Sequence, residues 1–163
     1  MEKIREITNL RSIRSFKEKE IPDDILKNIL EAGRHTPSVH NAQPWQFIVV
    51  SKPEIKSEMA QGRAKFIEDS ALIIVGCGNL KESPRWYELE VAIAIQSMVL
   101  AAWIKGIGSC WIDIGTNTND VRAILKIPSH LKIVALVAFG YPAKIPEPTW
   151  KKTLDQIVHY NTF

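Results

Sequence analysis

The stretch ELEVAIAIQSMVLAAWIK, residues 88–105, does more than any other part of the chain to decide its fold. Its apolar residues cover nearly the whole circumference of a helix, which predicts an α-helix buried on all sides. Gly106 and Gly108 follow and end the helix. A chain of 163 residues fits one domain with a real core, but it rarely surrounds such a helix alone. We therefore expect a second copy of the chain to cover part of this helix.

The composition is that of an ordinary globular domain. Hydrophobic residues make up 45% and charged residues 24%, and the net charge is only +3. Lys and Arg are spread along the chain, so no nucleic-acid surface is predicted, although a local anion site is allowed. The segment MEKIREITNLRSIRSF has no apolar signal core, and no uncharged apolar run reaches the roughly 18 residues of a membrane span. Cys77 and Cys110 lack CxxC spacing and are predicted to be buried free thiols. We expect one cytoplasmic domain over residues 1–163.

Helices and strands are interspersed without a regular βαβ rhythm, which favours a layered α+β domain. Further helices are predicted over residues 2–9, 21–35, 54–66 and 119–126. Strands are predicted at QFIVVS, SALIIVGCG, GSCWI and LKIVALVAFGY. The apolar contexts of Trp86, Trp103 and Trp150 predict that these side chains pack, and Trp45 is also expected in the core.

The pattern changes after Tyr141. PAKIPEPT has three prolines in eight residues and predicts an extended segment, whereas LDQIVHYNTF returns to an alternating, strand-like pattern. We call residues 142–163 the arm. A tail that leaves the domain and becomes apolar again is expected to dock, and a neighbouring subunit is the natural partner.

The chain lacks the sequence motifs of several common chemistries. It has no P-loop, GxGxxG fingerprint, HExxH motif or GxSxG elbow, and its four histidines show no metal-ligand spacing. We therefore predict no metal site and no catalytic side chain. Such a protein commonly leaves the reaction to a cofactor.

Two polar segments are candidates for binding. The arginine segment, LRSIRSF at residues 10–16, places Arg11, Ser12 and Arg14 together, and guanidinium forks suit a phosphate. The polar loop, TPSVHNAQPW at residues 36–45, offers the donors and acceptors of Ser38, Asn41 and Gln43. Taken separately, each segment is also what an ordinary solvated turn looks like.

Together these segments change the interpretation. In order, LRSIRSF, IPDDILKNILEAGRHTPSVHNAQPWQFIVV, SALIIVGCGN, GIGSCWI, FGYPAKIPEP and KKTLDQIVHY resemble the FMN-dependent nitroreductase family over almost the whole chain. The resemblance implies a three-layer α+β fold, with a mostly antiparallel central sheet flanked by helices. It also implies a homodimer with FMN at the subunit interface and exchanged C-terminal arms.

The resemblance assigns cofactor contacts to particular positions. In the arginine segment, Arg11, Ser12 and Arg14 would contact the phosphate and the pyrimidine edge of the flavin ring. In the polar loop, Pro37, Ser38 and Asn41 would reach the flavin of the other subunit. Elsewhere the matching positions are Gln61 beside the ring, Ile112 and Asp113 near the ring's N5, and Lys151 or Lys152 on the phosphate.

This sequence departs from the family pattern at three points. Leu10 stands where many members have an arginine, and Asp113 where many compact members have glycine. The long insertion that forms a lid in larger members is missing, which leaves the acceptor open.

The resemblance also implies a mechanism. NADH or NADPH would pass hydride to FMN, and a nitroaromatic, quinone or similar small acceptor would then be reduced on the same face, in ping-pong order. Arg14 is predicted to tune the flavin by stabilising negative charge on its reduced form. The alternatives are a flavin-binding sensor or store without turnover, and a structural protein in which both polar segments are turns.

Overall fold

The computed structural model describes residues 2–60, 62–112 and 118–163. It is an α+β domain built on one four-stranded antiparallel sheet, whose strands lie in the order β1-β2-β4-β3. The strands are β1 (Trp45–Val50), β2 (Leu72–Asn79), β3 (Gly108–Ile112) and β4 (Leu131–Gly140). The helices are α1 (Glu2–Thr8), α2 (Asp23–Arg34), α3 (Pro53–Met59), α4 (Tyr87–Ile104) and α5 (Thr118–Leu125). The predicted α+β class and all four predicted strands are confirmed.

Helix α4 lies on one face of the sheet, with α2 packed against it. Its Val91, Ala94, Ile95 and Met98 are fully buried among residues of β2 and β4. Every second side chain of a strand faces this core layer, because successive side chains of a strand point to opposite faces of the sheet. By length and composition α4 could also span a membrane. Here, however, its buried face packs within the protein, and Glu88 and Glu90 occupy its first turn.

The other face of the sheet is covered by α3, α5 and a 3₁₀ helix, Gly62–Ile67. Met59, Ile67 and Val121 from these elements pack against Ile73 and Val75 of β2. Apolar side chains therefore cover both faces of β2, which explains its unbroken apolar run. The result is the predicted three-layer arrangement of helices, sheet and helices.

Two sequence predictions differ from the structure. The arm has no strand at LDQIVHYNTF but a short 3₁₀ helix, Leu154–Gln156, and this whole stretch is exposed. An alternating pattern forms a strand only where a neighbouring strand is available, and one copy of the chain offers none here. Trp86 and Trp150, predicted to pack, are 46% and 76% exposed, while Trp45 does lie in the core.

Burial of both cysteines is confirmed. Cys77 of β2 and Cys110 of β3 are free thiols inside the domain. Burial raises the pKa of Cys77 to about 11, and it also raises the pKa of Cys110, an effect that the nearby Arg14 charge opposes. Both thiols are therefore protonated at neutral pH and suited to packing.

Candidate functional site

Backbone hydrogen bonds hold the arginine segment on both sides. Ile13 N–H donates to the carbonyl of Ser109 in β3 at 2.8 Å, and Ala143 N–H donates to the carbonyl of Ser15 at 2.9 Å. Phe16 also forms an isolated bridge with Pro142. The segment thus runs between β3 and the start of the arm, which fixes it as firmly as a strand.

Alternation of the side chains in this segment decides what faces solvent. Ile13 is completely buried and Phe16 nearly so. Ser12 and Arg14, on either side of Ile13, are exposed. The apolar residues therefore act as anchors, and the polar residues between them are presented on the surface in a fixed register.

Two glycines allow the segment to lie this close to the sheet. Gly108 and Gly140 are paired across β3 and β4. A Cβ on Gly108 would lie 2.4 Å from Ile13 Cγ1, and one on Gly140 would lie 2.8 Å from Phe16 Cδ1. Any larger residue at either position would displace an anchor of the arginine segment.

The arginine segment and the arm enclose a cleft of about 450 Å³. We call it the anion cleft. It is lined, among others, by Arg11, Ser12, Arg14, Glu147, Thr149 and Lys151. Ser12 and Arg14 also face an adjoining depression that contains Lys144. Among the described residues, three cations and one carboxylate line the cleft and a fourth cation stands beside it, so the site favours an anion.

The two guanidinium groups of this cleft differ in their hydrogen bonding. Arg11 donates from Nη1 to the carbonyls of Thr8 and Leu10, at 3.0 and 2.8 Å, which holds the side chain against the end of α1. For Arg14 no hydrogen bond or ion pair occurs within residues 2–60, 62–112 and 118–163. As far as this part of the chain is concerned, its donors are free for a ligand.

The polar loop has an unusual backbone. His40, Asn41 and Gln43 have φ of 51°, 57° and 48°, in the left-handed region that non-glycine residues seldom adopt. Each such residue costs about 1 kcal/mol or more unless its surroundings impose it, and asparagine tolerates it best. Clustered strain of this kind is typical of a functional segment.

Hydrogen bonds explain how this strained loop is held. Gln43 N–H donates to Ser38 Oγ at 2.9 Å, which leaves the hydroxyl hydrogen of Ser38 available to a ligand. Val39 N–H donates to Oε1 of the buried Glu90 at 2.7 Å, and Thr36 Oγ1 donates to Ser97 Oγ at 3.0 Å. Both anchors, Glu90 and Ser97, belong to α4. The loop is therefore fixed to the most deeply buried helix of the domain.

The structure brings together some of the predicted site residues and separates others. Arg11, Ser12, Arg14 and Lys151 share the anion cleft, whereas Lys152 does not line it. In the polar loop, Pro37, Ser38 and Asn41 lie outside this cleft of their own chain. Ile112 ends β3 and packs against the core. Gln61 and Asp113 lie outside the described residues.

Two residues that matter here were not predicted. Lys144 stands beside the cleft because Ala143, its neighbour, is hydrogen-bonded to the arginine segment. The available signal was its position just after Pro142, which follows the end of β4 at Gly140. The sequence predicts only that Glu90 lies in a helix. It gives no sign that the carboxylate turns toward a distant loop.

The donor set fits the FMN that the sequence resemblance implies. FMN combines a phosphate dianion with a flavin ring, and the anion cleft offers guanidinium forks, an ammonium group and hydroxyls. Its volume lies within the range of about 300–1,000 Å³ that is usual for small-molecule sites.

Comparisons with known proteins agree on one family. The model of the Nitroreductase family matches residues 7–72 and 56–141. An Archaeoglobus fulgidus protein, provisionally named NADH dehydrogenase/NAD(P)H nitroreductase, is 32% identical over 85% of this chain and 84% of its own. The NADPH-dependent FMN reductase of Bacillus subtilis is 25% identical over 98% of this chain and 74% of its own.

Solved structures give the same result. An FMN-dependent nitroreductase from Clostridium difficile superimposes with a TM-score of 0.88 at 28% identity, covering 98% of this chain and 99% of that one. The match therefore includes the sheet, the helices around it and the two segments that present the polar side chains. This chain belongs to the nitroreductase family.

Proposed function

We propose that this protein, an FMN-dependent NAD(P)H oxidoreductase of the nitroreductase family, reduces small aromatic acceptors such as nitroaromatics or quinones in a ping-pong cycle. Bound FMN supplies the redox chemistry, since it accepts hydride from the nicotinamide and returns electrons to an acceptor. The chain's own residues bind the cofactor, orient it and stabilise charge on it.

The observation that carries this proposal is the anion cleft. Arg11 and Arg14 are held by a buried anchor, Ile13, and meet Lys151 of the arm around one space. A solvated turn would not need two isolated β-bridges and a glycine pair to fix its position. We assign the phosphate to Arg11, Ser12 and Lys151, because a dianion is best held by charge-assisted hydrogen bonds.

Arg14 has a different proposed role. Its guanidinium is unpaired in the described chain and stands beside the end of the cleft. We propose that it faces the pyrimidine edge of the flavin, where negative charge collects on reduction. A fixed cation at that edge stabilises the charged form without reorganisation, which favours reduction. No side chain is assigned as an acid or base.

We further propose that the active unit is a homodimer. Helix α4 exposes an apolar row at helical spacing, with Leu89 60%, Ile93 45% and Ile104 64% exposed. Exposed apolar residues also mark the arm, at Ile145, Trp150, Leu154, Ile157 and Tyr160. Exposed apolar side chains in such number are typical of an interface. A twofold partner would cover α4 and bring its polar loop, with Pro37, Ser38 and Asn41, to the cleft of the first subunit.

The test is to reconstitute the apoprotein with FMN and reduce it anaerobically. Addition of NADH or NADPH should bleach the flavin spectrum, and a nitroaromatic or quinone added afterwards should restore it. Steady-state rates with varied donor and acceptor should give the parallel double-reciprocal lines of a ping-pong mechanism. Bound flavin that neither nucleotide reduces would instead identify a flavin store or sensor.

A further inference from the structure

Glu90 is a buried carboxylate that the proposed chemistry does not use. It lies in the first turn of α4, and only 3% of its surface is exposed. Oε1 accepts the 2.7 Å hydrogen bond from Val39 N–H, 51 residues away in sequence. Within the described residues Oε2 has no hydrogen-bond partner at all.

Such a residue is unfavourable unless it does something that an apolar residue could not. Burying a carboxylate costs several kcal/mol of folding free energy. The positive end of the helix dipole typically offsets only about 1 kcal/mol of that cost. An alanine or leucine here would avoid the cost and fill the same core. Within the described residues, the one interaction that needs an oxygen acceptor at this position is the bond from Val39 N–H.

That bond reaches the polar loop at a particular point. Val39 directly follows Ser38 and directly precedes His40 and Asn41, the first two residues with positive φ. This 2.7 Å hydrogen bond holds the peptide group just before the left-handed turn begins. The second anchor, from Thr36 to Ser97, joins two neutral hydroxyls and lies before the strained part.

We propose that Glu90 is a positioning residue that holds the polar loop in its strained form, so that Ser38 and Asn41 can contact the flavin of the partner subunit. This inference rests on the proposed function. It adds that a residue buried in one subunit controls FMN affinity in the other subunit's cleft.

Variants at position 90 test the positioning role. Glu90→Ala removes the acceptor. Glu90→Gln keeps the length of the side chain and a carbonyl oxygen that can accept the hydrogen bond from Val39 N–H. Glu88→Ala is the matched control, because Glu88 lies in the same turn but is exposed and accepts a hydrogen bond from its neighbour Tyr87 rather than from the polar loop. Fluorescence titration of each apoprotein with FMN should show a Kd about 10–100-fold higher for Glu90→Ala. Glu90→Gln and Glu88→Ala should bind like the wild type.

A mixed dimer tests the crossing of the interface. Differently tagged Glu90→Ala and Arg11→Ala/Arg14→Ala chains are co-expressed, and the heterodimer is isolated by both tags. One of its two sites then combines an intact arginine segment with an intact loop, and the other site carries both defects. We expect one tightly bound FMN per heterodimer, at an FMN concentration where neither parent homodimer binds it.

The outcomes of these experiments separate a failure of the inference about Glu90 from a failure of the proposed function. A heterodimer that binds no FMN tightly would overturn the inference, since it would show that Glu90 serves its own subunit's cleft. Equal FMN affinities for Glu90→Ala and the wild type would also overturn it. Wild-type apoprotein that fails to bind FMN would overturn the proposed function itself, and the inference with it. Faster hydrogen exchange at the Val39 amide of folded Glu90→Ala, restored by Glu90→Gln, would support the positioning role directly.

Discussion

Replacing Gly108 by alanine is a sharp test of how the fold builds the anion cleft. The added Cβ would lie 2.4 Å from Ile13 Cγ1, which is 1.0 Å short of the 3.4 Å where ordinary contact begins. Ile13 is completely buried and cannot swing away, so the arginine segment itself must move outward. Overpacking of this kind costs about 1–3 kcal/mol of folding free energy.

The same movement should weaken cofactor binding. A shift of about 1 Å takes Arg11 and Ser12 out of hydrogen-bonding range of a phosphate held at ordinary distances. Loss of one charge-assisted hydrogen bond is worth about 1.5–3 kcal/mol, so we expect the FMN Kd to rise about 10–100-fold. Fluorescence titration of the folded apoprotein measures this directly.

Gly106→Ala is the matched control. Gly106 has φ of +75° and nothing within 4 Å of a new Cβ, so the variant should lose about 1–2 kcal/mol through backbone strain alone. A domain of this size should then melt a few degrees lower, by about 2–4 °C per kcal/mol, with FMN affinity unchanged. If Gly108→Ala bound FMN like the control, the account of the cleft would be wrong.

Three further predictions concern charge, assembly and pH. Arg14→Gln should lower the reduction potential of bound FMN, measured by equilibration with a redox dye; an unchanged potential would exclude the tuning role. Ile93→Glu should place a charge on the apolar row of α4 and give monomers in size-exclusion chromatography with light scattering, and an intact dimer would refute that interface. Burial raises the pKa of Cys77 from 9.0 to about 11. The unfolded chain therefore loses this proton first, so that stability should fall by up to about 3 kcal/mol as pH rises from about 9 to 11. Denaturant titrations should show a shallower loss for Cys77→Ala, and equal slopes would contradict the assigned burial.

Much of the fold follows from periodicity. The apolar run of α4, the β-branched run of β2 and the glycines after α4 are local signals, and each structure they predict is present. The arm is different because its strand-like pattern requires a partner strand. Its apolar residues are exposed in one copy of the chain, so the alternating pattern alone does not decide its conformation.

The site was predictable only in part. The arginine segment and Lys151 could be recognised from the family resemblance, and the structure places them around one cleft. The choice between Lys151 and Lys152 needed the path of the arm, because both are exposed lysines in a segment without periodic structure. The contact between Glu90 and the polar loop could not be predicted from the sequence for a related reason. Its carboxylate acts through a contact 51 residues away, and only tertiary packing creates that contact.

A crystal structure of the protein with FMN tests the central claim most directly. The account predicts one FMN per subunit, with its phosphate between Arg11, Ser12 and Lys151 and with the polar loop of the partner subunit against the ring. The loop should keep its left-handed residues and the Val39–Glu90 hydrogen bond. FMN bound at another place, or a ring enclosed by the loop of its own subunit, would contradict the account.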